Sequence, residues 1–152
     1  WYDITNADLT RREDEGGLRA SQQDVEAFIE REKARGIPAS RIILAGFSQG
    51  CAMAIQTGLR HPEPLAGLLC LSGYVPLSAS LATECTDASK ATPIFMAHGR
   101  YDNVVPFNRA EASRDLLVSL GYRLEWHEYA MQHALCLEEV EHISAWLKTV
   151  LG

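Results

Sequence analysis

The sequence predicts an α/β fold in which a mostly parallel sheet is flanked by helices. Three short apolar runs, at residues 42–45, 65–72 and 93–97, have the composition of strands that are buried on both faces. Segments with helical periodicity lie between and around these runs. Strands that alternate with helices favour right-handed crossovers and parallel pairing. We expect one domain over residues 1–152, since the sequence contains no internal repeat and no low-complexity segment.

The first half of the chain predicts a helix on each side of the first strand. Residues 5–17 are charged and polar, and we expect them to be irregular. Residues 18–35 have one apolar face, and the glycine and proline at positions 36 and 38 end this helix. A strand at residues 41–45 follows, and then a helix at residues 49–60.

The second half predicts three more strands and two more helices. Residues 65–72 form a central strand, residues 73–91 a long loop, and residues 93–97 another buried strand. Residues 108–120 form a helix with Gly121 as its C-cap. Residues 123–129 alternate between apolar and polar, as in a half-exposed edge strand, and residues 138–151 form the last helix.

The composition excludes several kinds of partner. The 152 residues carry a formal net charge of −6 without a basic cluster, so we expect no nucleic-acid partner. No apolar run is as long as a membrane span, so we expect no stable membrane insertion. The four cysteines contain no C-x-x-C pair, which favours buried thiols in a reducing compartment and therefore the cytoplasm.

The beginning of the chain carries its own expectation. It opens on Trp1 without an initiator Met, and a polar stretch follows with no strand ahead of it. We therefore expect the first strands of the sheet to be absent and the strand at residues 41–45 to have an open edge. An open edge invites association, which allows a homodimer.

The pentapeptide Gly-Phe-Ser-Gln-Gly at residues 46–50 lies between a predicted strand and a predicted helix. A G-x-S-x-G nucleophile elbow requires this context. We expect side chains at Gly46 and Gly50 to clash with the backbone of so tight a turn. The turn would hold the Ser48 hydroxyl clear of the sheet and aim the backbone N–H of Gln49 at an oxyanion. The alternative is a strand-to-helix turn with an incidental serine.

A serine nucleophile needs a base to take its proton and an acid to orient that base. In parallel α/β sheets such residues gather in loops at the carboxyl ends of the strands. Asp102 and His133 each follow a predicted strand, which gives the chain order Ser, Asp, His. We predict Ser48, Asp102 and His133 as nucleophile, acid and base, with hydrogen bonds in both the Ser–His and the His–Asp pair.

The other titratable residues are weaker candidates. His98 lies at a strand end and competes for the role of base, but it directly precedes Gly99 and is expected to order the Asp102 loop. The remaining candidates lie at the opposite end of the sheet, in mid-strand, on the last helix or on a solvated strand face: His61, His127, His142, Glu125 and Glu128. Since the sequence has no H-x-x-x-H or H-E-x-x-H spacing, we expect no metal.

Five segments together resemble the phospholipase/carboxylesterase family, which includes bacterial carboxylesterases and acyl-protein thioesterases. They are residues 1–4, residues 41–50 with the elbow, residues 72–77, residues 98–106 with His-Gly and Val-Val-Pro, and residues 131–133. The resemblance implies an α/β-hydrolase fold that lacks its first strands, and no cofactor. It also implies hydrolysis of small-molecule carboxylic esters or thioesters with small-to-medium acyl chains. By position, it places the nucleophile on Ser48, the acid on Asp102 and the base on His133.

The chain departs from the family pattern in three places. Gln132 stands where the family usually has glycine, and we expect a slight shift of the His133 loop. Cys51 stands where a second glycine often follows the elbow, and a small thiol should be tolerated there. The family's His-Gly-rich loop, which supplies a second oxyanion N–H, would precede Trp1.

We also predict that the acyl group lies over the apolar start of the loop after residue 72, on Tyr74, Val75 and Leu77. These side chains could equally pack against Trp1 and Tyr2. The alternative to an enzyme is a catalytically silent α/β interaction module that retains the three triad residues.

Overall fold

The computed structural model describes residues 1–4 and 13–152, and a parallel sheet forms the centre of this part of the chain. Its strands are β1 (Ile43–Phe47), β2 (Gly67–Leu71), β3 (Ile94–Gly99) and β4 (Leu124–Tyr129). They lie in the order β1-β2-β3-β4, so that each strand pairs with the next along the chain. The predicted α/β class and parallel pairing are confirmed.

Helices cover both faces of the sheet. They are α1 (Glu15–Ala34), α2 (Gln49–Gly58), α3 (Ser78–Glu84), α4 (Phe107–Ser119) and α5 (Leu137–Leu151). Residues of α2, α3 and α4 share one apolar core with β2 and β3, while α5 packs against the opposite face through Trp146. Helix α1 lies outside α2, where Leu18 is fully buried against Ala52 and Met53.

The region between β2 and β3 differs from the expected loop. It contains α3 and a short 3₁₀ helix, Ala88–Ala91. Small and polar residues hide the helical period in this segment, and the single buried side chain of α3, Leu81, is too sparse a pattern to reveal it. The segment expected to be irregular falls largely on residues 5–12, outside the described residues, and α1 already begins at Glu15.

Strand β1 forms one edge of the sheet. In the described part of the chain it pairs with β2 alone, and the predicted open edge is confirmed there. The β1 side chains Ala45 and Phe47 are exposed, which leaves an apolar strip of the sheet uncovered.

None of the helices among residues 1–4 and 13–152 has both the length and the apolar character needed to cross a membrane.

Candidate active site

The elbow holds Ser48 in a strained conformation between β1 and α2. Its φ and ψ angles are 57° and −117°, a region that non-glycine residues rarely adopt and that costs on the order of 1–3 kcal/mol. The backbone compensates on both sides: Ser48 N–H donates to the Leu71 carbonyl at 2.8 Å, and the Ser48 carbonyl accepts from Ala52 N–H at 3.2 Å. Strain that is held in place in this way is typical of a functional turn.

The two glycines of the elbow have different roles. A Cβ atom on Gly46 would lie 2.1 Å from the carbonyl carbon and oxygen of Gly50, so no side chain fits there. A Cβ atom on Gly50 would have no described atom within 4 Å apart from its chain neighbours and the backbone of its own helical turn, so the prediction of a clash at Gly50 was wrong. The two positions differ because the backbone of Gly50 fills the space next to the Cα atom of Gly46, whereas a Cβ atom on Gly50 would point into open space.

The start of α2 offers a donor for negative charge. Gln49 is the first residue of this helix, and the first N–H groups of a helix lack an intrahelical acceptor. The helix dipole favours an anion at the same place. The Gln49 side chain donates from Nε2 to the Tyr2 carbonyl at 2.7 Å, which ties the beginning of the chain to the elbow. The oxyanion role of the Gln49 N–H stays a prediction.

Asp102 and His133 lie against each other. His133 Nδ1 and Asp102 Oδ2 are 2.7 Å apart, and the other oxygen, Oδ1, accepts from the N–H groups of Val104 and Val105 at 2.8 Å each. The Asp102 side chain is inaccessible to solvent, whereas that of His133 is 16% exposed. A buried carboxylate with all of these donors is held in one orientation, and it orients the imidazole in turn.

The His133 loop crosses over the end of β3 to reach the elbow. Tyr101 N–H donates to the Met131 carbonyl at 3.0 Å, and a Cβ on Gly99 would lie 2.3 Å from the Gln132 carbonyl oxygen. Only glycine permits this approach of the two loops. Because Gln132 takes part through its backbone and its side chain is exposed, its departure from the family pattern is accommodated.

His133 thereby lies beside the elbow. Its ring centroid is 4.7 Å from that of Phe47, the residue before Ser48. The structure brings His133 to Asp102 and to the elbow, but it contains no hydrogen bond between Ser48 Oγ and His133, and the expected Ser–His bond is not formed. The Phe47 contact could not be predicted from the sequence, because nothing in the spacing of residues 47 and 133 indicates it.

His98 is buried next to this pair. Its Nε2 lies 2.9 Å from the Val105 carbonyl oxygen and 3.4 Å from Asp102 Oδ2. Burial lowers the pKa of His98, so that the ring is neutral at ordinary pH. His98 thus contacts the carboxylate of Asp102 and the turn that carries it.

The other histidines lie elsewhere. His127 and His142 stack at 4.6 Å between β4 and α5, where Tyr129 also bonds His142. His61 is buried and its pKa is lowered by desolvation. Its ring lies within 4.8 Å of carboxylate oxygens of Glu30 and Glu63.

That last group does not alter the expectation about metals. Among the described residues it is the one set of side chains with the spacing of metal ligands. The ammonium group of Lys33 forms ion pairs with both Glu30 and Glu63, so part of their negative charge is compensated within the chain. The absence of a metal stays a prediction.

The predicted acyl-binding residues differ in their access to a substrate. Tyr74 and Val75 are buried, with 4% and 5% exposure, whereas Leu77 is only partly buried. The Tyr74 hydroxyl bonds that of Tyr2 at 2.6 Å, and the Arg109 guanidinium lies 3.4 Å from the centre of the Tyr74 ring. Tyr74 thus packs against Tyr2, as its alternative held, whereas Val75 packs in the separate core beneath α2, α3 and α4. The substrate-binding role of all three residues stays a prediction, and Leu77 is the most accessible of them.

The comparisons with known proteins concern the family and the fold of the chain. The family model described as Phospholipase/Carboxylesterase matches residues 1–151. The chain belongs to this family. An acyl-protein thioesterase 1 of Neurospora crassa is 43% identical over 155 residues, which cover 97% of this chain and 63% of that protein. An acyl-protein thioesterase 1 of Yarrowia lipolytica is 36% identical over 152 residues, which cover 97% and 67%.

The fold comparison gives the same result. The crystal structure of SOBER1 from Arabidopsis thaliana superposes with a TM-score of 0.93 and 29% identity, covering all of this chain and 74% of that one. The predicted family, the α/β-hydrolase fold and the type of enzyme, a hydrolase of the carboxylesterase and thioesterase kind, are confirmed. The chain spans about two thirds of the length of these two thioesterases: 67% of the Yarrowia lipolytica protein and 63% of the Neurospora crassa protein.

Proposed function

We propose that this chain carries the catalytic residues of a serine hydrolase that cleaves carboxylic esters or thioesters with small-to-medium acyl chains. The 2.7 Å contact between His133 Nδ1 and the buried Asp102 carboxylate, beside the strained Ser48, is the observation that supports it most. We further propose that residues 1–152 are part of one α/β-hydrolase domain, that the protein acts in the cytoplasm, and that the open β1 edge allows a homodimer.

The contact supports different roles for the two imidazole nitrogens. Nδ1 carries the proton that it donates to Asp102, so Nε2 has a free lone pair. A small movement of the His133 loop brings Nε2 to Ser48 Oγ, since catalytic hydrogen bonds often tighten only when substrate binds. Asp102 then stabilises the imidazolium that forms when His133 takes the serine proton.

Acyl transfer follows in two steps. Ser48 Oγ attacks the substrate carbonyl carbon, and the Gln49 N–H at the start of α2 stabilises the oxyanion. His133 gives its proton to the leaving alcohol or thiol, which leaves the acyl group on Ser48. Water, activated by the same imidazole, then attacks the acyl-enzyme and restores the serine.

A fluorophosphonate probe tests the proposal directly, because it reacts only with an activated serine. We expect covalent labelling of Ser48, located by peptide mass spectrometry, together with turnover of p-nitrophenyl acetate and p-nitrophenyl butyrate. The Ser48→Ala variant should lose both signals, and Asp102→Asn should slow turnover by roughly 10⁴-fold, as an acid of this type does in the serine proteases. Failure of a folded chain to label would favour the silent interaction module.

The choice of acyl chain is tested at Leu77. This residue is partly exposed and its N–H is fixed by the Glu13 carboxylate at 2.8 Å. The Leu77→Trp variant should lower the ratio of butyrate to acetate turnover, because the larger ring occupies space that the longer chain needs. An unchanged ratio would count against this placement.

A further inference from the structure

We infer that His98 is a positioning residue for the Asp102–His133 pair, acting through the turn that holds the acid. The inference builds on the proposed function, although its structural part can be tested without any activity. His98 occupies the carboxyl half of β3, and its side chain is fully buried.

The partners of the His98 ring fix its tautomer. Nε2 lies 2.9 Å from the Val105 carbonyl oxygen, which is only an acceptor, so Nε2 carries the proton and donates it. The other nitrogen, Nδ1, is buried without a hydrogen-bond partner. The ring thus acts as one aimed donor, and the Phe107 ring at 6.0 Å packs against it.

The donor supports Asp102 from two directions. His98 donates to the Val105 carbonyl. The N–H of the same residue, Val105, donates to Asp102 Oδ1 at 2.8 Å. The same Nε2 is also 3.4 Å from Oδ2, the oxygen that binds His133. A neutral donor here favours the carboxylate form without competing with His133 for its charge.

Loss of the donor therefore loosens the acid. The Val105 carbonyl would be left without its partner in a buried site, and a buried group without a partner is costly. The loop from Gly99 to Val105 would then move to find another donor, and Asp102 would move with it. Since the Asp102–His133 contact orients the base, the effect should be on the chemical step and not on substrate binding.

Two variants of similar chemistry separate donation from packing. His98→Gln places an amide nitrogen near the position of Nε2, whereas His98→Asn is one methylene shorter and places it near Nδ1. His61→Asn serves as the control, because His61 is equally buried but lies outside this hydrogen-bonded cluster. Two readouts are used: kcat and KM for p-nitrophenyl acetate, and the downfield proton NMR resonance of His133 Nδ1–H.

We expect His98→Asn to lower kcat by about 10-fold to 100-fold with little change in KM, and to broaden or remove the NMR resonance. His98→Gln should restore both readouts, and His61→Asn should leave both unchanged. Equal defects in His98→Gln and His98→Asn would overturn the inference, because the loss would then be one of packing. So would a sharp resonance and normal kcat in His98→Asn. If the wild-type chain has no turnover but the resonance follows this pattern, the proposed function fails and the positioning role stands.

Discussion

Of the substitutions that add one methyl group to the elbow, Gly46→Ala should disrupt its structure most. Its Cβ would lie 2.1 Å from two backbone atoms of Gly50 and 2.5 Å from the Cys51 nitrogen. Ordinary contacts of this kind are about 3.5 Å, so the start of α2 must move by roughly 1 Å. No side-chain rotation can relieve the clash, because all of these atoms belong to the backbone.

The size of the effect follows from that displacement. Overpacking costs typically about 1–3 kcal/mol, and the upper end is expected because rigid backbone is displaced. A shift of about 1 Å at the nucleophile costs roughly 10²-fold in rate. We therefore expect the free energy of unfolding to fall by about 3 kcal/mol and the labelling of Ser48 by a fluorophosphonate to slow by roughly 10²-fold.

Gly50→Ala is the matched control. It adds the same methyl group four residues away, where no described atom lies within 4 Å, and alanine in a helix is favoured over glycine by up to about 1 kcal/mol. Urea denaturation followed by circular dichroism gives both free energies. If Gly46→Ala unfolds at the wild-type urea concentration and labels at the wild-type rate, the steric account of the elbow is refuted.

Three further predictions concern the base, a buried acid and the open edge. Gly99→Ala should move the His133 loop and slow labelling of Ser48 by about 10²-fold, since its Cβ would lie 2.3 Å from the Gln132 carbonyl oxygen. Burial raises the pKa of Glu139, because the charged carboxylate is poorly solvated in the folded protein. The folded state is therefore most stable, with respect to this group, below the ordinary glutamate pKa, and it loses stability as the pH rises through the raised pKa. Glu139→Gln should therefore raise the melting temperature more at about pH 8 than at about pH 5. Ala45→Lys should reduce concentration-dependent light scattering, because a charge on the exposed apolar strip of β1 opposes association.

Each of the three has a control on the same chain. Gly16→Ala should label normally, because its Cβ meets its nearest atom at an ordinary 3.7 Å. Glu138→Gln, at the exposed neighbouring residue, is the control for Glu139→Gln, and we expect no pH-dependent gain in melting temperature from it. Ala34→Lys adds the same charge at the exposed end of α1. Normal labelling in Gly99→Ala, a pH-independent gain in Glu139→Gln, or equal scattering by both lysine variants would contradict the respective prediction.

The sequence was most informative where local chemistry decides the structure. Each predicted strand was found within about two residues, since buried parallel strands are continuous apolar runs. The elbow was visible because its turn demands a glycine at position 46. Asp102 and His133 could be singled out because parallel strands bring their following loops to one edge of the sheet.

The sequence was least informative about contacts between distant segments. The packing of Tyr74 depends on Tyr2 and Arg109, which are far from Tyr74 and from each other in the sequence. Helix α3 was missed because one buried leucine gives no period. The open space beside Gly50 depends on where the backbone runs, and residue types alone do not determine it.

The strand order described above also bears on how the molecule is assembled. Because each of the four described strands pairs with the next one along the chain, this part of the sheet can grow by successive addition, and no distant strand has to be inserted between two of them. Asp102 and His133 follow the neighbouring strands β3 and β4, whereas Ser48 follows β1, which β2 separates from them in the sheet. During synthesis Ser48 emerges first and His133 much later, so in the proposed mechanism the nucleophile is made well before the base that would deprotonate it. In that mechanism the reactivity of Ser48 would depend on completion of the sheet.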